Sequence, residues 1–201
     1  YLWQNLNTVV IGKNPNAWLE CHTSLSCEFE RAGIRADHRR YAPQYGICVH
    51  SPIIAQGILE SAKGTSNKVK VILPDGTIEW RHNYFGLKWR NGRCAISNDY
   101  FEEWTAEQNP DKSYTNIVSR FCKFNSLEEC VIGYFQWTNI PNYANLKGVT
   151  DPYQYLLNIK ADKYASSHDY VDDVYGVIIA ERMTKCNNNY VLFSFAKPGF
   201  D

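Results

Sequence analysis

Ser51-Pro-Ile-Ile-Ala-Gln-Gly-Ile-Leu-Glu60-Ser-Ala-Lys-Gly64-Thr-Ser66 decides how this chain is read. Ser51 is a good helix N-cap, Pro52 suits a first helical turn, and Gly64 suits the left-handed residue that stops a helix. The spacing therefore predicts a helix over 52–63. Ile54, Ala55, Ile58, Leu59 and Ala62 recur at helical spacing and form a buried stripe, and Glu60 lies beside that stripe rather than across the helix from it. A carboxyl so placed is partly desolvated. Desolvation disfavours the charged form and raises the pKa, which a proton donor at neutral pH requires. The plain alternative is a solvated surface glutamate near a helix end, as most helical glutamates are.

Working outward, the 201 residues suit one domain with a substantial core and an N-terminal appendage. A hydrophobic content of 44% and a charged fraction of 21% exclude wholesale disorder, and no apolar run approaches the length of a membrane span. Twenty-one basic residues balance twenty-one acidic ones, which argues against a nucleic-acid partner held by net field. Six Trp and fourteen Tyr exceed what such a core usually needs, and surplus aromatics serve as platforms for the apolar faces of sugars or simply pack. The chain begins at Tyr1 without an initiator Met or a signal-type segment, which reads as a processed form or a domain of a larger protein.

Seven cysteines, at 21, 27, 48, 94, 122, 130 and 186, include no Cys-x-x-Cys pair, so a zinc ribbon is not expected. Cys21 and Cys27 are spaced to close a small loop in an oxidising compartment, and a reduced chain fits equally. Nothing supports a metal or a nucleotide cofactor: there is no His-Glu-x-x-His, no phosphate-binding Gly loop and no Gly-x-Ser-x-Gly. Cys48, just before the helix, and His50 raise the thought of a Cys/His hydrolase, but His50 is too near in sequence to be an obvious base.

Along the chain, residues 1–40 read as an aromatic and polar extension. Lys68–Leu73, the turn Pro74-Asp-Gly76 and Thr77–Trp80 predict a hairpin. Asn91–Ser113 is a polar region holding Glu102, Glu103 and Glu107, and Tyr114–Phe124 is a strand. Ser126-Leu-Glu-Glu129 is a capping box opening a helix to about Trp137. Asp151-Pro152 opens a second, and His168-Asp169 precedes a third from Tyr170 to about Thr184. The tail, with Tyr190–Phe195, is a short strand or linker. The order helix, small sheet, helices predicts an α+β domain over 41–185, a β-lobe facing an α-lobe across a cleft, with 186–201 as a tail.

Several segments, in order, then resemble one family. Ala55–Ser66 followed by Asn83-Tyr-Phe-Gly-Leu-Lys88 is similar to the paired signature of glycoside hydrolase family 73, the bacterial and phage N-acetylglucosaminidases of autolysins and flagellar assembly proteins. Phe121-Cys-Lys-Phe-Asn-Ser-Leu-Glu-Glu129 resembles its Phe-Arg-x-Tyr-x-Ser-x-Glu-Glu segment. Asn142-Tyr-Ala-Asn-Leu146 resembles its Pro-x-Tyr-x-x-Leu, and Lys163-Tyr-Ala-Ser-Ser-His-Asp-Tyr170 its Gly-Tyr-Ala-Thr-Asp-x-x-Tyr. The similarity covers about Pro43 to Ile179, and its specificity lies in the order of the motifs.

The resemblance implies a lysozyme-like fold cutting the β-1,4 bond after N-acetylglucosamine in peptidoglycan, without a cofactor. The site of action would be extracellular, in the wall or periplasm, or on a phage virion. A glycosidic oxygen leaves poorly until protonated, and Glu60 is the expected acid. The family's second carboxylate lies on the β-lobe. Glu103, before Trp104, best matches its Glu-Tyr pair, with Glu102 and Glu107 kept open. Tyr164 corresponds to a family tyrosine near the acid. Asn83, Tyr84, Phe85 and Tyr143 are expected to contact sugar, Phe85 equally well packing inside. A non-catalytic glycan-binding or phage-tail structural module is the alternative.

Overall fold

The computed structural model describes residues 34–181 and 183. The expected extension, the Cys21–Cys27 loop, Cys186 and the tail strand at 190–195 lie outside the described residues.

Helix α1 (Ile34–Tyr41) runs into a 3-10 turn (Ala42–Tyr45), which Gly46 ends in the left-handed conformation at φ 73°. Helix α2 (Ser51–Glu60) follows, with Ser51 through Ile58 all buried. It differs from its sequence reading at both ends. His50, not Ser51, takes the N-cap position, without a side-chain cap, and the helix stops at Glu60 rather than 63. Ala62 (φ 48°), Lys63 (φ 59°) and Gly64 (φ 82°) are all left-handed, so the chain reverses directly after the carboxylate. Two non-glycine residues there cost on the order of 1 kcal/mol each. The reversal is tied by Ser61, whose hydroxyl donates to the Gly57 carbonyl (2.5 Å) and accepts from the Gly64 N–H (2.9 Å).

Two antiparallel hairpins make the β-lobe. Strands β1 (Lys70–Ile72) and β2 (Ile78–Trp80) pair Lys70 with Trp80 and Ile72 with Ile78. The Asp75 carboxylate closes the turn by accepting from the Thr77 N–H and hydroxyl, with Gly76 at φ 83°. Strands β3 (Asp99–Gln108) and β4 (Tyr114–Lys123) pair along ten residues each, from Asp99 with Lys123 to Gln108 with Tyr114. β4 is where the sequence put it. β3 was expected only as a polar region, because its exposed face hides the period-two signal. The segment before it edges the second hairpin through Cys122 N to Leu87 O (2.9 Å) and Trp89 N to Arg120 O (2.8 Å).

Helix α3 (Leu127–Thr138) begins as predicted. Ser126 caps Glu129 N at 3.1 Å, and the Glu129 carboxylate accepts from Asn125 N. A 3-10 segment (Pro141–Leu146) leads to α4 (Pro152–Ala161), capped by Asp151 on Gln154 N (2.6 Å), and then to α5 (Tyr170–Ala180). Helix α2 is the central helix of the α-lobe and packs on α4 and α5, while α1 packs on α3. Ile53, Ala55, Phe85, Leu87, Tyr134, Phe135, Tyr155, Leu156 and Ile178 form the heart of the core. The α+β architecture, a helical lobe opposite a small β-lobe, is the one the pattern predicts.

Candidate active site

Glu60 closes α2 at the junction of the lobes, partly buried. The turn Asn83–Leu87 presses on it. Gly86 is left-handed (φ 61°), and a Cβ there would stand 2.8 Å from Glu60 Oε2 and 3.6 Å from Lys68 Nζ. Only glycine fits so close an approach in that conformation. Burial raises the Glu60 carboxyl above the ordinary carboxylate range, and the negative charge of Glu107 adds to it. The Lys68 ammonium, a hydrogen bond from Tyr170 and the Lys88 charge offset part of the rise.

Behind the acid runs a chain of buried hydroxyls and one amide. Tyr134 Oη and Tyr155 Oη are 2.8 Å apart, Tyr134 Oη donates to Gln56 Oε1 (2.9 Å), and Gln56 Nε2 donates to Tyr170 Oη (2.9 Å). The Tyr134 proton is committed to Gln56, so Tyr155 donates to Tyr134. The Tyr170 oxygen is occupied as acceptor by Gln56, so its own proton is free for Glu60. Every donor therefore points toward the carboxylate, and its orientation is fixed from the core outward.

A cleft of about 680 Å³ opens beside Gly86, lined on the β-lobe side by Lys88, Glu107 and Gln108 and on the helical side by Trp137, Tyr143 and Tyr164. Along β3 the side chains alternate, so Phe101, Glu103, Thr105 and Glu107 share the inner face, while Glu102 and Trp104 are exposed. Glu102 pairs with Arg120 at 3.1 Å on the outer face. Glu103 and Glu107 lie four residues apart, about 13 Å along a strand, so the two do not stand together beside Glu60. Glu103 is bound to Arg81 Nη1 (3.1 Å), whose guanidinium stacks on Phe101 and also holds Asn67 O. Glu107 lines the cleft and is ion-paired with Lys88. Burial works to raise the Glu107 carboxyl, but the bonds from Lys88 and Ser166 and the charges of Lys88 and Lys68 outweigh it, so it sits below the ordinary range.

Tyr164 and Tyr143 both line the cleft. The Tyr164 hydroxyl donates to Phe85 O (2.7 Å), tying down the turn that seats Gly86 against Glu60. Tyr143, also expected to touch sugar, is buried, its ring against Trp137 at 5.6 Å and under the Arg93 guanidinium at 5.4 Å. Asn83 and Phe85, expected to touch sugar, are instead in the interior. Asn83 is fully buried, with Nδ2 donating to Leu87 O and Cys122 O and Oδ1 accepting from Leu87 N, so its hydrogen-bonding capacity serves the turn. Phe85 is buried against Tyr134, with ring centroids 4.6 Å apart. Tyr84 is partly buried beside His82, and its N–H donates to Cys130 Sγ.

Lys68 and Lys88, the two ammonium groups between the carboxylates, received no role in the sequence reading. The signal for Lys88 was its place at the end of the Asn83–Lys88 motif. Cys48 is exposed, while His50 Nδ1 lies 2.7 Å from Nδ1 of buried His38, so the residues of the rival Cys/His reading are not brought together as nucleophile and base. No helix of the described residues is long and apolar enough to cross a membrane.

A family model described as glucosaminidase, mannosyl-glycoprotein endo-beta-N-acetylglucosaminidase, matches residues 36–183. No curated protein matches. Among solved structures, a mutant of a peptidoglycan hydrolase from Sphingomonas sp. A1 is 24% identical with a TM-score of 0.64, over 80% of this chain and 98% of that one. The glycoside hydrolase domain of Salmonella typhimurium FlgJ, C-terminally truncated, is 22% identical with a TM-score of 0.57, over 78% and 97%. The catalytic domain of the autolysin Auto from Listeria monocytogenes is 19% identical with a TM-score of 0.58, over 92% and 97%. These likenesses establish the fold.

Proposed function

Because the chain belongs to the glucosaminidase family, we propose that it is a peptidoglycan hydrolase that cleaves the β-1,4 bond after N-acetylglucosamine in the glycan strand, acting on the cell wall outside the membrane. The observation that carries the mechanism is the pair of carboxyls with opposed environments: Glu60 is raised by burial, and Glu107 is held ionised by Lys88. Two carboxyls pushed apart in this way divide into acid and base. Glu60 gives its proton to the glycosidic oxygen as the C–O bond breaks, and Glu107 takes the proton of the water that attacks the oxocarbenium-like carbon. Tyr164 is a positioning residue in this scheme, acting through the Phe85 carbonyl on the turn that holds Gly86. Tyr143 and Trp137, both buried, back the helical wall of the cleft, with the Arg93 guanidinium lying over the Trp137 ring.

Glu60→Gln keeps the shape and loses the transferable proton. Turnover of purified peptidoglycan should fall by about 10²- to 10⁴-fold with the fold intact. In the same assay Glu107→Gln should lose activity, whereas Glu103→Gln, which leaves the Arg81 cluster one partner short, should retain it. Loss at Glu103 with retention at Glu107 would move the base four residues along β3. Retention at both would hand the second role to the acetamido oxygen of the substrate. Released reducing ends on N-acetylmuramic acid rather than N-acetylglucosamine would refute the bond assignment. A non-catalytic glycan-binding module would show no turnover at all.

A further inference from the structure

The cleft carries more positive charge than neutral sugars need. Lys88, Arg90, Arg93, Lys160 and Lys163 line it, against Glu107 and Asp162. Three of the five cations are spent internally. Lys88 pairs with Glu107, Lys160 Nζ donates to Ala165 O (2.9 Å) and Ser166 O (3.2 Å), and Arg93 Nε donates to Trp137 O while its guanidinium lies 3.7 Å over the Trp137 ring. The exposed side chains of Arg90 and Lys163 make no hydrogen bond or ion pair among the described residues.

Lys163 is also strained. Helix α4 ends in a reversal, with Lys163 N to Lys160 O at 3.0 Å and Tyr164 N to Ile159 O at 3.2 Å, and Lys163 occupies the left-handed position at φ 64°. That position favours glycine, which relieves the clash of Cβ with the backbone. A lysine kept there, its side chain lining the cleft and unpartnered, is an outlier of the kind that accompanies function.

We propose that Lys163 and Arg90 form an anion-recognition wall that engages the carboxylates of the peptide stems borne by the glycan, so that the enzyme selects stem-bearing, charged strands. The inference rests on the peptidoglycan reading above and deepens it. In that polymer the sugars are neutral, and the anionic groups sit on the lactyl-linked peptides at regular intervals along the strand. A cationic wall along a cleft that takes the glycan matches that arrangement of charge.

The test uses soluble stem-bearing strands before and after conversion of the stem carboxylates to carboxamides with carbodiimide and ammonia, which removes charge and keeps shape. For the unmodified protein, amidation should raise KM about three- to tenfold, the range expected of two solvent-exposed ion pairs. The double variant Arg90→Ala/Lys163→Gly should have a high KM on both substrates and be indifferent to amidation. Lys163→Gly alone should not lower Tm, since glycine relieves the strained position, and so separates recognition from folding. An unmodified protein indifferent to amidation would overturn the proposal, as would a double variant that responds just as strongly. Cleavage of neither substrate by the unmodified protein would instead defeat the hydrolase reading on which it rests.

Discussion

Replacing Tyr170 by Phe tests the donor chain behind Glu60. The Tyr170 hydroxyl accepts from Gln56 Nε2 at 2.9 Å, which leaves its own proton for the neighbouring Glu60 carboxylate. Hydrogen bonds to a charged group contribute about 1.5–3 kcal/mol, and this one favours the ionised form of Glu60. Without it, burial acts on the carboxyl with less opposition, and its pKa climbs further above the ordinary range. In the proposed mechanism Glu60 must be protonated to act, so activity is lost as pH rises through its pKa, and this alkaline limb moves upward in the variant. With about 1.4 kcal/mol equivalent to one pH unit, the limb should shift by about one unit or more. The Gln56 amide is meanwhile left buried with one donor unpaired, costing about 1–3 kcal/mol, which in a domain of this size lowers Tm by a few degrees to about ten. The assay is kcat against pH on soluble glycan strands. An alkaline limb that stays put or moves down would refute the donor chain as the control on the acid, whatever happens to Tm.

Glu60 itself should be a liability to the fold. Its pKa is raised in the folded state, so the stability it contributes is present below the unfolded value near 4.3 and is lost as pH rises through the folded value. Glu60→Gln removes that loss, so its Tm relative to the unmodified protein should increase from pH 4 to pH 8 in thermal melts; a constant difference would contradict the desolvation argument. Asn83→Ala should behave oppositely, losing three buried hydrogen bonds and destabilising the domain by about 2–4 kcal/mol in urea titrations. Its folded fraction should bind glycan as the unmodified protein does, and a specific loss of affinity at full stability would restore Asn83 as a sugar contact.

The helices were legible because their signals are local. Ser126 with Glu129, and Asp151 with Pro152, each satisfy orphan N–H groups within one turn, and the structure forms those caps. The hairpin turn at Asp75-Gly76 was legible for the same reason. Helix α2 was overrun by three residues because Gly64 looks like the stop. The actual reversal begins at Ala62, a residue whose own preference is helical. What overrides that preference is a local side-chain lock with no hydrophobic period, Ser61 bonding Gly57 O and Gly64 N, together with the close approach of Gly86 to Glu60 at the helix end.

The second carboxylate shows the limit of local reading most clearly. A Glu-Tyr resemblance favours Glu103, and alternation along a strand cannot separate Glu103 from Glu107, since both are odd-numbered and share the inner face. What separates them is which cation each meets. Arg81, on the segment after β2, captures Glu103 and stacks on Phe101; Lys88, at the end of the Gly86 turn, captures Glu107 at the cleft. Neither pairing has a sequence period, because each joins separate segments through the fold. One clue was present. Glu107 stands two residues before the turn Asn109-Pro-Asp-Lys-Ser113, so it is carried near the tip of the hairpin, the part of a β-lobe that overhangs a cleft. Burial and a donor chain set Glu60 up to hold a proton, and one lysine sets Glu107 up to lack one. In the proposed mechanism the two states are built on opposite lobes, so the relative placement of the helix end and the hairpin tip sets the distance between acid and base.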